Sequence, residues 1–208
     1  PDLLAPMDLD GALITADAMH TQRSTAQWII SRGAHYLLTV KDNQPGLKRE
    51  LGALPWKDVP AVSSVDTGHG RRVRRTVQAV EAPAWIDFPG AAQVIRIRRT
   101  RTVKGRKHVE VVHLICSLPM DQAQPEAIAS WARGHWTIEN RLHWVRDVVF
   151  DEDRHQLRTR NGPQIMAALR NLAISLIRLF LGPGVSIVST TRSLSRRPKR
   201  AISLLTQP

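Results

Sequence analysis

The chain has 208 residues, 42% hydrophobic and 23% charged, with 30 Lys and Arg against 18 Asp and Glu. This fits one globular domain, or one with an insertion, and excludes disordered and collagen-like classes. A single cysteine, Cys116, excludes a disulfide framework and a thiolate-rich metal site, and fits a reducing compartment. The longest apolar stretch, residues 165–181, is broken by Arg170, Asn171, Ser175 and Arg178, so no membrane partner is expected. No secretory signal is read at the start, which opens on Pro1.

Charge is distributed unevenly. Residues 1–60 hold 6 basic and 7 acidic side chains, residues 61–118 hold 11 and 4, and residues 119–208 hold 13 and 7. A basic excess confined to part of a chain points to a polyanion, most simply nucleic acid.

In chain order, residues 11–17 read as a short buried strand ending in Asp17. A helix follows from Thr21, a candidate N-cap, to Ser31, with Gly33 as its stop. Residues 36–40 form a second buried strand, and Gln44-Pro45 open a short helix to Gly52. Strand–helix–strand–helix order predicts parallel strands with a crossover helix. Residues 62–65, 73–80, 94–103 and 109–116 then read as strands of an antiparallel sheet. In the third of these, Arg96 and Arg98 share one face and Ile95 and Ile97 the other, which predicts a basic exposed face. Helices are predicted over 128–135, over 137–150 with an apolar stripe of Ile138, Leu142, Val145 and Val149, and over 164–181. Residues 183–208 read as a basic tail.

Asp17, at the end of an apolar strand, is placed either to hold a metal or to cap the next helix. Glu139, His143 and Arg146 fall at helical spacing on one face, which reads as a second acid site or as a solvated Glu–Arg face. Two hard carboxylates suit Mg²⁺, and two such ions suit phosphodiester chemistry. Zinc-type His spacing, a P-loop and a nucleophile elbow are absent from the sequence.

The stretch Ile14-Thr15-Ala16-Asp17-Ala18-Met19-His20-Thr21-Gln22 resembles the H-repeat-associated transposases, bacterial insertion-sequence enzymes of the DDE class in the IS-four-like superfamily. The likeness continues through residues 34–45 and 133–147, through Glu152-Asp153-Arg154 and through residues 169–174, so it covers nearly the whole chain. It implies an α/β fold with a ribonuclease-H-like core and an antiparallel β-rich insertion between the second and third catalytic acids. Asp17 matches the second acid and Glu139 the third.

The resemblance also implies two Mg²⁺ ions, double-stranded DNA at transposon ends and target as partner, a homo-multimer on DNA, and a cytoplasmic, nucleoid-associated location. In a related group, Tyr, Arg, Glu and Lys surround the third acid. Here Ala132, His135 and Arg146 stand at the Tyr, Arg and Lys positions, and Arg146 is a candidate phosphate ligand by charge. Arg71, Arg72, Arg74, Arg96 and Arg98, with Arg75, Arg99 and Arg101, are candidate DNA-phosphate contacts. Trp56 and Trp85 are candidates to stack on a base or to pack under the sheet, whereas Trp136 and Trp144 are expected to wedge the Glu139 helix into the core.

The expected organisation is residues 1–56 as the second-acid half of the ribonuclease-H-like sheet, 57–118 as the insertion, 119–182 as the helical third-acid part, and 183–208 as the tail. The first acid and first strands are expected to be missing, because no Asp ends an apolar strand before Asp17. The fragment alone is therefore expected to be inactive. A non-catalytic DNA-binding remnant and a metal-dependent nuclease of the same fold are the alternatives.

Overall fold

A computed structural model describes residues 4–68, 70–138, 144–182 and 184–206. The chain divides into two compact units, Pro1–His135 and Trp136–Pro208. The first is mixed α/β, built on one six-stranded sheet with order β1-β2-β6-β5-β4-β3.

Strand β1 (Leu13–Ala16) runs parallel to β2 (His35–Val40), with helix α1 (Arg23–Ser31) as the crossover. Asp17 caps a 3-10 turn over Ala18–His20 that separates β1 from α1. Thr21 is therefore not the cap of α1. It is fully buried and donates its hydroxyl to the Thr39 carbonyl at 2.6 Å, tying the turn to β2. Gly33 follows the last turn of α1 with φ +70°, and a Cβ there would collide with the Asp10 carboxylate. Pro45 opens α2 (Pro45–Gly52) at its first turn.

Strands β3 (Val62–Gly68), β4 (Arg71–Glu81), β5 (Gln93–Val103) and β6 (Arg106–Cys116) are antiparallel neighbours and extend beyond the predicted bounds. Strand β6 also pairs antiparallel with β2, so residues 57–118 share one continuous sheet with residues 1–56. Lys104 and Gly105, both at positive φ, make the two-residue turn between the paired residues Val103 and Arg106. Positive φ at both positions matches the right-handed twist of the strands it joins.

Alternation along the strands splits the core. Tyr36, Leu38 and Val40 of β2, with Val94 and Ile115, pack against Ala26 and Ile29 of α1 and Leu47 and Leu51 of α2. Leu37, with Ile95, Leu114 and Cys116, packs on the opposite face against Ile128 of α3 (Pro125–Ile138). Two buried glutamines pin the chain to these faces. Gln78 donates to the Trp56 and Val59 carbonyls, both at 2.7 Å, and Gln93 to those of Leu118 (2.7 Å) and Ala123 (3.1 Å).

In the second unit, residues 145–149 form a π-helical turn and α4 spans Gly162–Leu181. Val145, Ile174, Ile177 and Ile187 make its core. Within the stretch read above as a basic tail, the described residues form α5 (Ile187–Arg196) and α6 (Pro198–Leu205). Helix α4 has the length and apolar composition to cross a membrane. Its Arg170 is buried and paired with Glu152.

Candidate nucleic-acid interface and acid site

Strand β1 is short because its apolar run ends at Asp17, which turns the chain. Asp17 Oδ1 accepts from the Ala18 N–H at 2.7 Å and lies 3.4 Å from Lys41 Nζ. The structure thus realises the capping role. The Ala18 N–H first, and the Lys41 cation after it, hold the carboxyl below its ordinary value despite some desolvation. The side chain is 59% exposed and both contacts fall on one oxygen, so Oδ2 faces no partner among the described residues. An ionised, half-engaged carboxylate of this kind fits a hard divalent cation. Among the described residues no group of three or more His, Cys, Asp or Glu gathers as a ready metal site.

Two residues before Asp17, Thr15 Oγ1 lies 3.1 Å from His135 Nδ1. That hydrogen bond ties β1 to the end of α3, and His135 precedes position 139 by four residues. Glu139 and His143 lie outside the described residues. Arg146 is described. It chelates Glu152, with Nε on Oε2 and a terminal nitrogen 2.6 Å from Oε1, and Arg170 reaches Oε1 at 3.4 Å. Arg146 itself lies in the π-helical turn over residues 145–149.

The strand registers sort the expected DNA contacts. Arg72, Arg74, Arg96 and Arg98 project from one face and Arg71 from the other. Arg72, Arg74 and Arg98 are exposed. Arg96 is not freely available, because its guanidinium sits 5.2 Å over the Trp56 ring and its Nε is buried without a partner. Trp56 is itself buried, donates Nε1–H to the Leu51 carbonyl and stacks near His113, so it packs and does not reach solvent. Burial first, then the Arg96 and Lys48 cations, push the His113 imidazole toward its neutral form.

Trp85 is 56% exposed and remains open to a ligand. Trp144 is 50% exposed, so it does not wedge its segment into a core; the Trp136 side chain lies outside the described residues. Of Arg75, Arg99 and Arg101, the first two are ion-paired, to Asp66 and Glu110. The run Asp151-Glu152-Asp153 reads from the sequence as a further acidic cluster or a charged turn, and its Glu152 is the partner of Arg146 and Arg170. Lys41 and Arg170 are not singled out by the sequence, although both lie inside the motif stretches quoted above.

The Transposase DDE domain family matches residues 1–176. "Putative transposase YncI" of Escherichia coli O157:H7 is 31% identical over 192 residues, 86% of this chain and 48% of that protein. "H repeat-associated putative transposase YhhI" of Escherichia coli (strain K12) is 31% identical over 195 residues, covering 85% and 50%. "Putative protein YbfL" of the same strain is 30% identical over 192 residues, covering 85% and 50%. The chain spans about half the length of these curated relatives. With that match across residues 1–176, the chain belongs to the DDE-domain transposase family.

Proposed function

We propose that this chain is the part of an insertion-sequence transposase that holds DNA for metal-dependent strand cleavage and strand transfer, on a ribonuclease-H-like core. The observation that carries this reading is the Thr15–His135 hydrogen bond. It ties β1, which ends at Asp17, to α3, and Thr15 and His135 both lie in stretches that resemble the family.

Asp17 and Glu139 would hold the metal, Mg²⁺ by its preference for hard oxygen ligands. When bound, such ions polarise the scissile phosphodiester and ready an attacking oxygen. The chain's own residues set the stage. The Ala18 N–H orients the Asp17 carboxylate and favours its ionised form, with both contacts on Oδ1. Lys41, 3.4 Å from Asp17 Oδ1, offsets part of the carboxylate charge. Arg72, Arg74 and Arg98 grip backbone phosphates from one face of the sheet, and Arg71 from the other. Arg146, held by Glu152, fixes the turn over residues 145–149 against the Glu152 segment.

The family's site takes three acids, of which Asp17 and Glu139 are two, so this chain alone is expected to bind DNA without cutting it. Assembly as a homo-multimer on paired DNA ends, in the bacterial cytoplasm at the nucleoid, goes with the same reading. The test uses labelled duplexes ending in the element's inverted repeats, with Mg²⁺, in a nicking and strand-transfer assay. Asp17→Asn in the full-length enzyme is expected to abolish cleavage and leave DNA binding intact. Unchanged cleavage would overturn the role of Asp17. Cutting without joining would make the protein a nuclease, and binding without either would make it a DNA-binding remnant.

A further inference from the structure

The far end of the sheet carries a second basic site, on the face opposite Arg72, Arg74 and Arg98. Arg71, Arg101, Val103, Lys104, Arg106 and His108 line a cup of about 720 Å³. The registers explain how it forms. Arg101 pairs with His108 across β5 and β6, and Val103 sits between Arg71 and Arg106 on the next rung. Rungs two residues apart are separated by about 7 Å, and three strands span about 10 Å. The positive charge therefore covers more than one phosphate group.

Arginines nearer the middle of this face are neutralised. Arg75 pairs with Asp66 and Arg99 with Glu110. The cup has no such balance. It is lined by no carboxylate, and Arg71, Arg101, Lys104 and Arg106 have no ion pair among the described residues. Four unpaired cations around one concavity repel each other and hold counter-ions that a polyanion can displace.

We propose that this cup binds consecutive phosphates of a DNA backbone, so that the sheet end contacts nucleic acid on both of its faces. The site deepens the DNA-handling reading and rests on it. It needs neither Asp17 nor Glu139. A continuous phosphodiester suits it better than a free anion, because the charge is spread over two rungs and three strands.

The test is fluorescence anisotropy of the 208-residue chain on a random-sequence duplex across a salt titration. The variant is Lys104→Asn with Arg106→Gln. Asn tolerates the positive φ of position 104, so the turn is kept. Loss of two phosphate contacts lowers the slope of log Kobs against log salt by about 2. Referred to 1 M salt, that is about 30-fold weaker binding at about 0.15 M and about 200-fold at about 0.05 M. A control, Arg49→Gln with Lys57→Gln, removes equal charge elsewhere and is expected to leave the slope within about 0.5.

The proposal is overturned if the cup variant follows the control, if the parent chain does not bind the duplex, or if the variant loses calorimetric binding of inorganic phosphate while its duplex affinity is unchanged. Cup-dependent binding together with a full-length enzyme that never cleaves would retain the cup and remove the catalytic reading. Cleavage with cup-independent binding would do the reverse.

Discussion

Glu152→Gln tests how the second unit is held together. Glu152 takes both forks of Arg146 and also meets Arg170, whose side chain is only 7% exposed, while those of Arg146 and Glu152 are 25% and 19% exposed. Gln keeps the shape and removes the charge. Arg170 is then left buried without its counter-charge, a change that costs about 3–5 kcal/mol at well-buried pairs. Because the carboxylate and Arg146 are partly solvated, the lower end applies, about 3 kcal/mol.

Hydrogen exchange read by mass spectrometry on peptides from 144–181 reports this unit separately from the sheet. The expected loss of protection is about 150-fold, since about 1.4 kcal/mol is a factor of ten. Arg154→Gln is the comparison. Its pair with Asp151 is open to solvent at 3.7 Å and is worth about 1 kcal/mol or less.

The Arg146 hydrogen bond first, then the Arg146 and Arg170 charges, hold the Glu152 carboxyl below its ordinary value of 4.5. A carboxyl depressed in the folded state gives stability that is full above the unfolded value and lost as pH falls through the folded one. The gap between parent and Glu152→Gln should therefore be constant above about pH 5 and narrow below it. A cost no larger than that of Arg154→Gln, or a gap unchanged down to about pH 3, would refute the buried-cation argument.

Gln93→Ala strips the Leu118 and Ala123 carbonyls of their shared donor in a fully buried site. It should cost about 2–4 kcal/mol, seen as faster exchange in β5 and β6 peptides, and a cost under about 1 kcal/mol would deny the clamp. Gly105→Ala forces a Cβ onto a backbone at φ +76° and should cost about 1–2 kcal/mol, measured as a shift in urea midpoint, whereas Lys104→Asn should be neutral or stabilising.

Strand alternation and turn chemistry made most of the sheet legible in the sequence. Ile95 and Ile97 against Arg96 and Arg98 gave the faces of β5, and Gly33 marked the end of α1. What the sequence hid is long-range. Nothing local says that β6 returns to pair with β2, because Leu37↔Cys116 joins residues far apart in the chain. Nor does spacing reveal that Arg96 is drawn over Trp56, or that Arg146 serves Glu152, since both depend on which apolar or acidic group the fold delivers alongside. Asp17 was legible as a strand-end acid; Lys41 beside it was visible only as part of a motif.

The sheet is divided along its length. Val94, Ile95, Ile115 and Cys116 are buried at the helix-covered end, while residues 106–111 of β6 are all exposed. Exposed strand ends invite pairing with other chains, and Val65, Val109 and Val111 stand open there. Positive charge at this end therefore has two possible duties: keeping strands apart and holding a polyanion. Charge reversal separates them. Lys104→Glu with Arg106→Glu sets two carboxylates against Arg71 and Arg101 and cancels the net charge of the cup, so the first duty predicts association, seen by light scattering. The second predicts a loss of duplex affinity greater than that of the neutral variant, because two attractions become repulsions. Aggregation of the reversed variant with DNA affinity retained would assign the basic end to strand protection alone.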